Sequence, residues 1–126
     1  MKVFYLLNVN NTKYYLTQSS CEYLSNLQED LNLIQIAISI TKWTDSLDKV
    51  LKEDLEHLPK LIYIEEKLHG SWISHPLYYW VISYPKIISY EYDILGNITL
   101  KLQFTKIIKT NNIESTIRDI KLDTLL

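Results

Sequence analysis

The chain has 126 residues, 47% of them hydrophobic and 22% charged, and a formal net charge of -2. That length supports a single domain over residues 1–126 with no second core, and that balance excludes a wholly disordered chain. A polycationic nucleic-acid coat and an acidic tail are excluded as well.

In chain order, Lys2 to Val9 is rich in aromatic and branched residues and predicts a strand. Asn10-Asn11-Thr12 supplies a turn, and Lys13 to Thr17 returns as the second arm of an N-terminal hairpin. Ser19 and Glu22 have capping-box spacing ahead of Tyr23, Leu24, Leu27 and Leu31, which share a helical stripe. This predicts a helix over about 20–29. Ile34, Ile36, Ile38 and Ile40 then alternate with Gln35, Ala37, Ser39 and Thr41. A helix over 33–41 stays open, but it would scatter those isoleucines around its circumference, and a period of two favours a strand.

Thr44 or Asp45 caps a helix whose Leu47, Val50, Leu51, Leu55 and Leu58 line one face, closed by Pro59. Leu61 to Glu66 predicts a short strand, and His69-Gly70 a turn. Pro76 suits the first turn of a helix running to about Ser83. Ile87 to Ile94 and Ile98 to Ile108 predict a C-terminal hairpin around Leu95-Gly96-Asn97. Within it, Lys101, Gln103 and Thr105 share one face, and Leu100, Leu102 and Phe104 the other. Ile113, Ile117 and Ile120 predict a short terminal helix. The expected fold class is α+β: a mostly antiparallel sheet, with N-terminal and C-terminal hairpins, carrying two or three packed helices.

The residues give little support to catalysis. Cys21 is the single cysteine, in the first turn of an amphipathic helix, where a small buried residue is commonplace. His57, His69 and His75, with Glu65 and Glu66, match no metal-ligand spacing. Asp45, Asp48, Glu53, Asp54 and Glu56 alternate with Lys49 and Lys52, as on a solvated helix face. With Gly70 and Gly96 the only glycines, a phosphate-cradling glycine loop is excluded. No cofactor is expected. The first apolar run stops at Asn8, too short for a signal peptide, and no run reaches membrane-spanning length. An intracellular protein without a membrane partner is therefore expected.

Arg118 is the only arginine, and tyrosine is abundant. Lysine over arginine, with many isoleucines and asparagines, is what AT-rich coding produces, and it points to a viral, phage or AT-rich microbial source. One arginine leaves the chain poorly equipped for bidentate guanine readout. Trp72, Tyr78, Tyr79, Trp80, Tyr84, Tyr90 and Tyr92 are closely spaced, with no lysine or arginine from Gly70 to Pro85. Cross-strand packing accounts for part of this run. The remainder predicts a protein-binding or homodimer surface using Tyr78, Tyr79, Tyr90 or Tyr92.

The segment Asn8-Val9-Asn10-Asn11-Thr12-Lys13-Tyr14-Tyr15-Leu16-Thr17 resembles the opening hairpin of KilA-N domains of large DNA viruses and phages. Trp43 and the charged stretch to Leu58, then Gly70-Ser71-Trp72-Ile73-Ser74-His75-Pro76 and Trp80, are similar to that family's later signature. The resemblance spans about residues 8–85. Ser74 is an extra residue between the aromatic and His75, and the family has helices where the isoleucine alternation reads as a strand. The resemblance implies a DNA-binding module with Lys42, Lys60, Lys67 and His69 as contacts. The alternative expectation is a protein-interaction factor, such as a viral inhibitor of a host defence protein, acting through the aromatic surface. Neither expectation is enzymatic.

Overall fold

The computed structural model describes residues 3–9, 12–28, 32–41, 58–68 and 77–125. The helix expected before Pro59, the Gly70–Pro76 motif, Lys42, His57, His69 and His75 lie outside the described residues.

The N-terminal segment forms β1 (Val3–Val9) and β2 (Thr12–Tyr15), paired antiparallel with Asn8 opposite Lys13. Helix α1 (Gln18–Asn26) follows, and β3 (Gln35–Ile40) after it. Strand β4 (Leu61–Leu68) pairs with β1 on one side and with β5 (Tyr78–Ser83) on the other. The chain continues through β6 (Lys86–Tyr92), β7 (Ile98–Gln103), β8 (Lys106–Thr110) and helix α2 (Ile113–Leu125). One sheet has the order β2-β1-β4-β5-β8 and the other β3-β7-β6, with every pairing antiparallel. The architecture is mostly antiparallel β with two helices among the described residues.

The two sheets are joined in two ways. Leu16 bridges to Ile40, and Thr17 N–H donates to Ser39 O at 2.9 Å, so β2 runs on into contact with β3. On the other side, β5–β6 and β7–β8 form one long ribbon that passes from sheet to sheet. Its register crosses the corner unbroken, with Ser83 opposite Lys106 and Lys86 opposite Gln103. Thr105 N–H and Tyr84 N–H hold the corner by donating to Ser83 O and Lys60 O. Tyr84 adopts φ 51, the left-handed region uncommon for a residue with a Cβ, and this turns the strand between the sheets.

One core lies between the sheets. Tyr5, Leu7, Tyr14, Ile38, Ile64, Trp80, Ile82 and Leu100 are all within it. Alternation explains most of these positions: Ile36, Ile38 and Ile40 point inward from β3, and Ile98, Leu100 and Leu102 from β7. Helix α1 covers β1 and β3 with Cys21 and Leu24. The buried Ser20 hydroxyl accepts from Ser39 N–H at 2.7 Å, satisfying an otherwise unpaired sheet donor.

Three expectations are corrected. The helix from Pro76 to Ser83 is strand β5 from Tyr78 onward. Both faces of Trp80-Val81-Ile82-Ser83 are buried, so the run lacks the alternation that marks a half-exposed strand, and pairing with β4 and β8 determines its conformation. Helix α1 is capped by Thr17, whose Oγ1 accepts from Ser20 N–H at 3.4 Å, rather than by Ser19. The long arm from Ile98 to Ile108 is interrupted at Phe104-Thr105, where the ribbon turns the corner.

Candidate interaction surface

Strand β6 ends the order β3-β7-β6, so its far edge carries no strand among the described residues. Its cross-strand partners assign its faces. Lys86, Ser89 and Glu91 stand opposite Gln103, Lys101 and Thr99, on the solvent side. Ile87, Tyr90 and Tyr92 stand opposite Leu102, Leu100 and Ile98, on the core side. A bulge at Ile88 keeps this alternation in step. The buried row of β7 therefore continues sideways into Tyr90 and Tyr92, which are 52% and 53% exposed. Their rings meet edge to face, with centroids 6.4 Å apart.

The ribbon tip extends this surface. Asp93 Oδ1 accepts from Leu95 N–H and Asn97 N–H, both at 2.9 Å, and Oδ2 from the Asn97 amide at 3.1 Å. Gly96 at φ 87 supplies the left-handed residue the turn needs. This tight turn holds Ile94 fully in solvent and leaves Leu95 63% exposed. Ile88, Tyr90, Tyr92, Ile94 and Leu95 are exposed large hydrophobic residues of β6 and the tip, and Tyr90 and Tyr92 share one face, the kind of surface that marks an interface.

Desolvation by itself would raise the pKa of the exposed Asp93 carboxyl. The hydrogen bonds from Asn97 and Leu95 outweigh that and hold it below the usual aspartate value. A depressed carboxyl stabilises the turn above its unfolded pKa, and the contribution disappears as pH falls through the folded one. Amide exchange at Leu95 and Asn97, corrected for intrinsic rates, should therefore quicken in acid. Asp93→Ala should produce the same loosening at neutral pH; equal protection in wild type and variant would refute this account of the tip.

The other candidate residues do not converge. Tyr78 and Tyr79 are adjacent on β5 and face opposite sides of the sheet. Tyr78 lies beneath Lys109 Nζ at 4.7 Å, and Tyr79 packs edge to face on Tyr63 at 5.5 Å. Neither joins the β6 surface. Lys60 precedes β4 and Lys67 is near its far end, about 23 Å away along an extended chain. Lys60 lines a cleft of about 200 Å³ with Leu61, Tyr84, Ile120 and Lys121.

Lys67 belongs to a different cluster, which the sequence did not reveal. Glu65 is only 5% exposed, although it sits on the outer face of β4. Its Oε2 lies 3.2 Å from Lys13 Nζ and 3.8 Å from Lys67 Nζ. That oxygen has no well-aligned hydrogen bond among the described residues, so charge rather than directional bonding holds the group. Partial burial and the neighbouring Lys13 together lower the Lys67 pKa. Partial burial also pulls Lys13 down, but the Glu65 carboxylate outweighs it and leaves Lys13 raised. Beside them Asn8 Nδ2 donates to the Tyr63 hydroxyl at 2.8 Å.

Glu66 points to the opposite face, with its Oε2 4.0 Å from Lys109 Nζ. Glu65 and Glu66 thus cannot share one ligand, and no group of three or more His, Cys, Asp or Glu side chains that could hold a metal occurs among the described residues. The Cys21 thiol is buried, and burial pushes its pKa up, which makes it a poor nucleophile. Among the described residues no helix is long and apolar enough to cross a membrane.

Burial likewise raises the pKa of Tyr5, Tyr63 and Tyr79. Their neutral forms favour the fold, fully so below the unfolded value near 10 and decreasingly as pH climbs through the folded values. A phenolate absorbance titration should show a late-ionising class that merges with the rest once the chain is unfolded in denaturant. A single wave in the native protein would contradict these burials.

No protein-family model matches this sequence, and no curated protein sequence does. A solved structure does resemble it. The chain is similar in fold to Hcp1 from Flavobacterium johnsoniae, with a TM-score of 0.55. The match covers 86% of this chain and 96% of that one at 12% sequence identity, a likeness of fold alone.

Proposed function

We propose that this protein is a non-enzymatic interaction module that engages another protein through β6 and the ribbon tip. One observation carries the reading: the exposed Tyr90 and Tyr92, with Ile94 and Leu95 at the tip, lie at a sheet edge that no strand covers among the described residues. Exposed aromatics provide contact area at low entropic cost, and an uncovered edge offers backbone hydrogen bonds to a docking strand. A photo-crosslinking residue placed at Tyr92 should yield a discrete adduct in cells producing the protein. The same group at Lys101, on the solvent face of β7, should not. Equal labelling from both positions, or none from Tyr92, would sink this reading.

DNA binding is the second reading. It rests on the KilA-N resemblance and on one structural observation, the cleft that Lys60 and Lys121 line together. Phosphate binding through those lysines would make log affinity fall with log salt, by about 0.9 per neutralised phosphate. Fluorescence anisotropy with a labelled duplex at low salt tests it. Binding that weakens with salt and is lost in Lys60→Glu supports it, and no retention at any salt removes it.

A further inference from the structure

Because β6 is an edge whose two faces are chemically distinct, its sequence restricts which strand can pair with it. A docking strand must place polar residues beside Lys86, Ser89 and Glu91, and apolar ones beside Ile87, Tyr90 and Tyr92. It gains further by placing an acid beside Lys86 and a base beside Glu91, neither of which makes an ion pair among the described residues.

The strand that meets these demands is β6 itself. We propose that the partner at this edge is a second copy of the chain, joined antiparallel about a two-fold axis through the bulge at Ile88-Ser89. In that register Lys86 meets the partner's Glu91, and Ile87 meets the partner's Tyr90, each contact occurring twice. Like faces stay together because the bulge places Ile87 and Tyr90, three residues apart, on the same side. Shifting the pairing by one residue sets Lys86 against the partner's Tyr92 and Ile87 against the partner's Glu91, so that both faces are mismatched. This register pairs like faces and opposite charges at Lys86–Glu91 and Ile87–Tyr90, as an isologous interface requires.

The pairing continues the three-stranded sheet into six strands across the axis. The buried row of Leu102 and Leu100 extends through Ile87 and Tyr90 to the partner's Tyr90 and the partner's Ile87, while Tyr92 meets the partner's Pro85. A strand of seven residues spans only about 23 Å, so the contact is at the small end of specific interfaces and the dimer is reversible.

This inference rests on β6 being the interaction surface, and its test separates the two. Sedimentation or light scattering across a concentration series should show the wild-type mass rising from one chain toward two. Lys86→Glu and Glu91→Lys each convert two attractions into two repulsions and should each weaken association by about tenfold or more. An equimolar mixture of the two variants restores both attractions in the heterodimer and should recover wild-type association. Both positions are solvent-exposed, so the fold is expected to be intact, and circular dichroism verifies it. A wild-type mass of one chain throughout, or a dimer indifferent to either substitution, overturns the inference. A photo-adduct at Tyr92 to a different protein, with the purified chain staying at single mass, overturns it while leaving β6 as the interaction surface.

Discussion

Replacing Trp80 with alanine is expected to cost about 3–5 kcal/mol of unfolding free energy. Trp80 is wholly buried on the core face of β5, between Ile64 of β4 and Lys109 of β8 in the strand register. The cost combines the lost burial of the largest side chain in the core with a cavity that paired strands on both sides cannot close. For a domain of this size it should lower Tm on the order of 10–20 °C. Phenylalanine should behave differently. The indole Nε1 is buried without a hydrogen-bond partner among the described residues, so Trp80→Phe removes an unsatisfied donor along with the volume. Its net cost should be about 1 kcal/mol. Chemical denaturation of the two variants tests the pair, and equal losses would mean that the indole N–H is satisfied in the folded protein.

The second large effect is expected at Glu65. Its removal leaves two ammonium groups beside each other on the outer face of β4. Lys13 keeps a side-chain exposure of 44% and recovers water readily; Lys67 keeps 20% and recovers less. Breaking a fully buried pair costs several kcal/mol. The partial exposure of both lysines reduces this, and Glu65→Ala should lose about 2 kcal/mol. The double variant Glu65→Leu with Lys67→Leu removes carboxylate and stranded ammonium together, and it should be more stable than Glu65→Leu alone. A double variant that loses the sum of both single effects would show that Glu65 acts through packing rather than charge.

The reach of the sequence was uneven, for identifiable reasons. Strand β3 was legible because one of its faces meets solvent, so Ile36, Ile38 and Ile40 alternate with polar neighbours. Leu100, Leu102 and Phe104 were legible against Lys101, Gln103 and Thr105 for the same reason. Strand β5 was not, because burial of both its faces erases the period and Pro76 offers a plausible helix start. Of the four tyrosines singled out, Tyr90 and Tyr92 share a face of the exposed edge, while the adjacent Tyr78 and Tyr79 are separated by the pleat. The exposure of Ile88, Ile94 and Leu95 has no signal in the sequence, because it follows from the bulge and from the Asp93 turn, and neither has an apolar pattern. The burial of Glu65 depends on Lys13, which strand pairing brings from a distant part of the chain, so nothing local announces it.

The central claim is that the molecule meets its partner along β6. Hydrogen exchange tests this most directly, comparing the protein alone at high dilution with the protein concentrated or in extracts of the cells that make it. Slowed exchange confined to Lys86–Tyr92 and the adjoining tip is the predicted result. An unchanged β6, with protection appearing instead around the Lys60 cleft or nowhere among the described residues, would contradict the account.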